Sequence, residues 1–595
     1  MSNHSDRLAA LRQQLAAQGL DGFVVPLTDE HMSEYVGSYA HRLAWLTGFE
    51  GSAGSAAVLA DKAATFTDGR YTLQVRQQVD GADWSFESVP ESNVTDWLKA
   101  HAPAGARIGY DPWLHRRDWV ARTREALAAK GAELVAVTTN PIDAVWSDRP
   151  ERSKAALVVH PERLAGRSSA DKRQAVADWL GEQGADAAVL AALDSIAWTF
   201  NLRGSDVSRT PVGLAFALVH GDGTADLFVE GEKVTAELRQ HLGNGVRLHE
   251  RAEFEAKLGE LGGKTVAVDP ERSVAAIGEA LEKAGATIIA LRDPTVLPRA
   301  TKNETEVAGH RAAQTRDGAV MVKFLKWVDA HQGELDELKA SARLEEIRRE
   351  DPTLKDLSFD SISAFGANAA SPHYHSTEKS NVPFAPGSLY LIDSGGQYED
   401  GTTDITRTVA VGEPTPEMRD RFTRVLQGHI AIDSAVFPKG TRGGQLDSFA
   451  RRPLWEAGLD YAHGTGHGVG SFLSVHEGPQ RIAPVGGAYA GGDEPLQAGM
   501  ILSNEPGYYK EGEYGIRIEN LVLVVPVEVA GADKELLGFE TLTFAPIDRR
   551  LIDRALLSDR EVQWLNDYHA EVVRRIGPGL GAEERAWLEE QCAPL

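Results

Sequence analysis

Four acidic residues stand where β-hairpins would press like charges together. Leu389-Tyr390-Leu391-Ile392-Asp393 is an apolar run that ends in an acid. Residues 394–401 read as a loop, and Asp404-Ile405-Thr406-Arg407-Thr408-Val409 alternates like a returning strand. Positions 393 and 404 are equidistant from the centre, and residues directly opposite on one face have Cβ atoms about 4.5–5.5 Å apart. The design recurs downstream. Met500-Ile501-Leu502-Ser503-Asn504-Glu505 ends in an acid before Pro506-Gly507, and Gly515-Ile516-Arg517-Ile518-Glu519 opens the return. Positions 505 and 519 are equidistant from a turn centred near Gly512. Carboxylates so placed repel each other unless something positive lies between them.

Between the hairpins lies His463-Gly464-Thr465-Gly466-His467-Gly468-Val469-Gly470. So glycine-rich a run is a poor helix and reads as a strand or tight loop presenting imidazoles. His476 and His373 add two more. Taken singly, an acid at a strand end is commonly a cap, and a histidine is commonly a satisfied core or surface group. Taken together, four carboxylates carry −4 and two divalent ions carry +4, with a bridging hydroxide as the nucleophile. Oxygen-rich ligation with one nitrogen favours Mn(II), Co(II) or Fe(II) over a dedicated zinc site. Two ions about 3.5–4 Å apart can activate water and polarise a carbonyl together.

The remaining sequence narrows the setting. The chain has 595 residues, 42% hydrophobic and 25% charged, which excludes a largely disordered or fibrous protein. Its 62 Lys+Arg against 87 Asp+Glu give a net charge of −25, which opposes binding to nucleic acid or an anionic membrane. Cys592 is the single cysteine, so no intramolecular disulfide and no cysteine metal site can form. No apolar run approaches the roughly 18 residues of a membrane span. Residues 1–25 show no signal-peptide pattern: Asp6, Arg7, Arg12 and Asp21 interrupt them, and Leu8, Leu11, Leu15 and Leu20 fall at mostly helical spacing. The expectation is a soluble, cytoplasmic protein.

The first 300 or so residues read as two copies of one α/β unit. Trp45-Leu46-Thr47-Gly48-Phe49-Glu50-Gly51-Ser52 corresponds to Trp198-Thr199-Phe200-Asn201-Leu202-Arg203-Gly204-Ser205. Each is followed by two strand-like stretches, 55–60 and 64–68 in the first, 213–220 and 225–229 in the second. Helical stretches at 94–100 and 171–183 flank them. Turn signals at 150–154 and 293–299 give domains 1–153, 154–296 and 297–595, the last with a C-terminal extension from about 547. A long helix is expected after Thr301, with Thr301 as cap, Glu304 reaching back, and Val307, Val320, Phe324, Leu325 and Val328 as its buried stripe. Two more helices are expected from Ser558 to Arg575 and at 582–591.

At this point the sequence resembles the Xaa-Pro aminopeptidase family of the "pita-bread" metallopeptidases, in its long, three-domain cytosolic form. The resemblance is carried by Leu391-Ile392-Asp393-Ser394-Gly395, Asp400-Gly401-Thr402-Thr403-Asp404-Ile405-Thr406-Arg407, His463 to Gly470, Asn504-Glu505-Pro506-Gly507-Tyr508-Tyr509 and Gly515-Ile516-Arg517-Ile518-Glu519-Asn520. It extends to the Trp-X-X-X-X-Arg-Gly stretch at 198–204 and to Trp564-Leu565-Asn566-Asp567-Tyr568-His569. It implies an α/β (α+β) chain: two creatinase-like N-terminal domains, then a pita-bread catalytic domain with a curved antiparallel sheet. It implies two divalent metal ions, Mn(II) by family, with Asp393 on one ion, Asp404 and Glu519 bridging, and His467 and Glu505 on the other. Glu505 would act as general base. His373, His463 and His476 would hold the peptide and stabilise the oxyanion. The implied reaction releases the N-terminal residue from peptides with proline in second position, and the implied assembly is a homodimer.

Arg517, two residues before Glu519, falls on the same strand face and is a candidate partner for a ligand carboxylate or for substrate. The stretch Ala367-Asn368-Ala369-Ala370-Ser371-Pro372 before His373 lacks the family's Gly-Pro-Asn-Gly-like run, which bears on substrate contacts and leaves the metal ligands intact. Prolidase, a dipeptidase with the same metal site, is the nearest alternative. A non-catalytic pita-bread binding protein is disfavoured by the intact ligand set.

Overall fold

The computed structural model describes residues 3–89, 91–486 and 491–595. The chain forms two compact units, Met1–Val296 and Leu297–Leu595. Among the described residues no helix is long and apolar enough to cross a membrane.

The first unit holds two six-stranded sheets of one topology. In space the first runs Ser85–Ser88, Ala63–Thr67, Ser55–Leu59, Gly22–Pro26, Arg107–Tyr110, Glu133–Ala136. The second runs Val246–His249, Ala225–Phe228, Phe216–His220, Ala187–Leu190, Thr265–Val268, Thr287–Ala290. In each, the inner three strands pair antiparallel and the outer ones add in parallel. Parallel additions need crossover connections, and the helices between the strands supply them. The repeat centred on Trp45 and Trp198 is therefore a repeat of topology: each tryptophan lies on a short helix, Arg42–Thr47 or Leu193–Thr199, that precedes the antiparallel pair.

The second unit is built on antiparallel strands. Ile362–Phe365, Ser388–Ser394 and Ile405–Val411 form one sheet. A six-stranded sheet runs Val436–Pro438, Leu536–Thr541, Asn520–Val527, Ile501–Asn504, Gly466–Gly468, Glu477–Ile482. The helix Glu304–His331 buries Val307, Val320, Phe324, Leu325 and Val328, as its spacing predicts. Its cap is not Thr301. Asn303 accepts from the amides of Thr305 and Glu306, and the Glu306 carboxylate accepts from the Asn303 amide. Thr301 is drawn away by an antiparallel bridge to Met500. The helices Asp559–Ile576 and Ala582–Gln591 end the chain, the first closed by the capping box of Ser558 and Glu561. Leu565, Tyr568 and Val572 from the first of them pack in one core with Tyr514, Ile516 and Ile518.

The two hairpins behave differently. In the second, Asn504 pairs with Asn520 and Gly507 with Arg517, so one register runs through positions 505 and 519 as expected, about Gly512 at φ +75°. In the first, Asp393 pairs with Thr406 and Ser394 with Ile405, so Asp404 is not opposite Asp393. The expected register is off by two because residues 394–404 are not a simple loop. Gly396–Tyr398 and Gly401–Thr402 form a ladder of their own with Leu354–Leu357. Asp317 on the long helix holds that ladder, accepting from the Tyr398 hydroxyl at 2.8 Å, Thr403 Oγ1 at 2.9 Å and Arg348 Nε at 2.7 Å.

Arg407 ties the sheets to the C-terminal region. Its buried guanidinium donates to the carbonyls of Thr406, Glu519, Ala545 and Pro546, to Asn520 Oδ1 and to the Tyr568 hydroxyl. Lysine keeps the charge but concentrates its donors at one point, so Arg407→Lys leaves buried acceptors unmet at about 1–3 kcal/mol each. Calorimetry should show the melting midpoint lowered by about 5 °C or more. An unchanged midpoint would contradict this account of the guanidinium.

Candidate metal centre

The acids meet where the second hairpin's ladder breaks. Glu505, Pro506, Ile518 and Glu519 lie between its outer and inner ladders, and Pro506 has no N–H to leave unpaired. One bond still crosses it, from the Ile518 amide to Pro506 O at 3.3 Å, while the amides of the two acids bond elsewhere. The Glu505 amide donates to Thr465 O at 2.8 Å and the Glu519 amide to Thr406 O at 3.2 Å. One break thus joins the second hairpin to the histidine-rich segment and to the first hairpin. The close approach depends on Gly466: a Cβ there would lie 2.0 Å from Ser503 O.

Around this point Asp404, His467 and Glu519 are buried, with ligand atoms all within 4.8 Å of one another. His467 Nε2 lies 3.5 Å from Asp404 Oδ2 and 3.4 Å from Glu505 Oε1. His467 Nδ1 faces the Gly468 carbonyl at 2.9 Å and must donate to it, which directs Nε2 toward the acids as a lone-pair donor. Asp393 Oδ1 and Glu519 Oε1 are buried with no hydrogen-bond partner. Buried acceptors left unpaired among like charges are atoms suited to a cation, and the set of carboxylates with one imidazole fits oxygen-preferring divalent ions.

Electrostatics point the same way. Burial, then the charge of Asp393, holds the Asp404 carboxyl well above the usual carboxylate range. Burial, then Asp404, Glu505 and Asp393, does the same for Glu519. Loss of hydration also raises Glu505, against the opposing pull of His467 and Arg517. Each shift records a carboxylate that resists its charge until a positive partner is supplied.

Arg517 is bonded to a cluster acid. Its Nη2 donates to Asp393 Oδ2 at 2.7 Å and to Pro372 O at 3.2 Å, its Nε to Thr406 Oγ1 at 3.2 Å, and its Nη1 to the Tyr509 hydroxyl at 2.6 Å. Burial opposes the guanidinium charge, but Tyr509, Asp393, Glu505 and Glu519 raise its pKa well above the usual value. His463 Nδ1 donates to Gly464 O, so its Nε2 accepts from the Tyr509 hydroxyl at 2.8 Å. His476 packs edge-on to His467 with ring centroids 4.4 Å apart. His373 is half-buried and follows Pro372, the residue held by Arg517.

The structure thus brings Asp404, His467, Glu505 and Glu519 together, joins Asp393 to them through Arg517, and sets His476 and His463 alongside. Three supporting residues were not singled out from the sequence. Ser503 Oγ accepts from the His467 amide and donates to Glu505 Oε1; Thr406 Oγ1 donates to Glu519 Oε2; Tyr509 links Arg517 to His463. All three lie inside the motif strings, but hydroxyls among acids and histidines carry no periodic signal.

Comparison with known proteins places the chain among its relatives. The family model for metallopeptidase family M24 matches residues 308–526, and one for the C-terminal region of that family matches 535–595. Two models for the creatinase/prolidase N-terminal domain match 7–145 and 148–306. A protein from Laccaria bicolor named probable Xaa-Pro aminopeptidase P is 40% identical, covering 100% of this chain and 94% of its own length. The solved structure of X-prolyl aminopeptidase from Caenorhabditis elegans, described as a cytosolic enzyme with a di-nuclear active site, is 34% identical with TM-score 0.95 and covers 100% of both chains. A Xaa-Pro dipeptidase from Bacillus anthracis shares the fold at 24% identity and TM-score 0.52, covering 64% of this chain and 99% of its own. By family models, by identity over the full chain and by fold, this chain belongs to metallopeptidase family M24, in the group that carries creatinase/prolidase-type N-terminal domains.

Proposed function

We propose that this protein is a two-metal aminopeptidase that releases the N-terminal residue from peptides with proline in second position. The observation that carries the reading is the cluster of Asp393, Asp404, Glu505 and Glu519 with His467, whose negative charge Arg517 offsets only in part. The relatives' names and the di-nuclear site of the C. elegans enzyme support it.

In this reading Asp393 would help hold one ion and His467 and Glu505 the other, with Asp404 and Glu519 serving both. Mn(II) is proposed for both, on the oxygen-rich donor set. When bound, the ions supply Lewis acidity toward the scissile carbonyl and toward the attacking water. The protein's own groups do the rest. Glu505, 3.4 Å from His467 Nε2 in the cluster, takes the proton of the water. His373, His463 and His476 line the substrate side and donate to the oxyanion that develops at the carbonyl. Tyr509 donates to His463 Nε2 here while Nδ1 donates to Gly464 O, so a donor role for Nε2 requires the hydroxyl to give way to substrate and the imidazole to take up a proton. Arg517 fixes the orientation of Asp393 and borders the substrate side through Pro372. The domain divisions 1–153, 154–296 and 297–595, a homodimer and a cytoplasmic location complete the proposal.

The aminopeptidase reading is tested by substrate length. With Mn(II), arginine should be released from Arg-Pro-Pro with little cleavage of Arg-Pro, and a chelator should abolish it. Cleavage of the dipeptide alone would move the assignment to prolidase. The ligand roles are tested by Asp404→Asn and Glu519→Gln. Saturating Mn(II) should stabilise the parent by about 2.7 kcal/mol at 100 times its Kd, and the corresponding rise in Tm should shrink in both variants along with the metal content. A full thermal shift in either variant would remove that residue from the ligand set.

A further inference from the structure

A second carboxylate, outside the metal cluster, organises the segment that carries His373. Glu337 opens the helix Glu337–Arg348 and is fully buried. Its Oε1 accepts from the Phe365 amide at 2.7 Å and from Asn368 Nδ2 at 3.0 Å. Its Oε2 accepts from the Tyr374 hydroxyl at 2.9 Å, Asn368 Nδ2 at 3.1 Å and the Val382 amide at 3.3 Å. Its backbone carbonyl accepts from Ser363 Oγ. Every donor comes from residues 363–382, and none of them is a cation. A carboxylate used this way is a template: its lone pairs fix where four separated points of one chain must lie.

His373 sits between two of those points. Asn368 and Tyr374 also bond each other, and both bond Ser380, so the turn around His373 is closed on itself and then fastened to Glu337. On the other side Arg517 holds Pro372 O with the guanidinium that bonds Asp393. The chain from 368 to 374 is therefore gripped from the metal side and from behind. Close packing adds to the grip, since a Cβ on Gly515 would meet Ala369 O at 1.8 Å. The Glu337 template fixes the shape of this stretch by hydrogen bonding.

We propose that Glu337 is a positioning residue for peptide hydrolysis, acting through Asn368 and Tyr374 to hold His373 against the substrate. The proposal rests on the aminopeptidase reading, and specifically on a substrate role for His373.

The test uses the full-length Mn(II)-loaded protein and Arg-Pro-Pro. Glu337→Gln keeps the shape but turns one acceptor into a donor that faces other donors. Tyr374→Phe removes one hydroxyl only and guards against a failure of the first variant to fold. Each should lower kcat by about 10- to 100-fold with KM within about threefold, as expected when a reacting group is misplaced by a fraction of an ångström. Metal content and the Mn(II)-induced rise in Tm should match the parent. In a His373→Ala background the effect of Tyr374→Phe on kcat should vanish, because the residue through which it acts is gone. Undiminished effects in that background, or an unchanged kcat in Tyr374→Phe, would overturn the proposal. A His373→Ala variant as active as the parent would instead defeat the substrate role of His373 on which the proposal rests.

Discussion

Repulsion between carboxylates is the constraint around which the second unit is arranged. Asp393, Asp404 and Glu519 are buried and Glu505 is partly exposed, and Arg517 bonds one of them, Asp393. Bringing such groups together is strongly unfavourable without positive charge, since unpaired buried ions are the most costly groups in a protein interior. The upward shifts of Asp404, Glu519 and Glu505 express that cost directly. Two divalent ions would offset it, making the cluster a site whose binding energy also holds the fold.

The surroundings of the cluster read as devices for keeping it in place. A ladder that breaks at Glu505 and Glu519 is stitched to two other segments by the amides it frees. Asp317 and Arg348 hold the small ladder between Asp393 and Asp404, and Arg348 also donates to Ser394. Arg407 binds the carbonyl of Glu519 and the side chain of Asn520 while reaching the C-terminal helix through Tyr568. Glu337 does for the His373 segment what Asp317 does for the acids. In each case a buried ionisable group serves as a hub for chain segments far apart in sequence.

How much of this was legible in the sequence follows from how local each signal is. The helix Asp559–Ile576 was legible because Ser558 and Glu561 form its box within one turn. The second hairpin was legible because a single turn at Gly512 sets its whole register. The first hairpin was not, because its register is set by Asp317 and Arg348, many residues away on other elements. The cap at Asn303 was missed by two residues for a similar reason. Thr301–Glu304 and Asn303–Glu306 have the same spacing, and Met500 decides between them. The acids and histidines were found by residue type. Arg407, Asp317 and Glu337 escaped because an ionisable residue in an alternating strand or on a helix gives no sign that it is buried.

The claim on which the account depends is that two cations sit among these four acids. Anomalous scattering at the manganese edge, recorded from crystals grown with Mn(II), measures this directly. The account predicts two peaks in each protein chain, both touching Asp404 and Glu519, with Asp393 on one and His467 and Glu505 on the other. A single peak, or none at these residues with Mn(II) in excess, would contradict it.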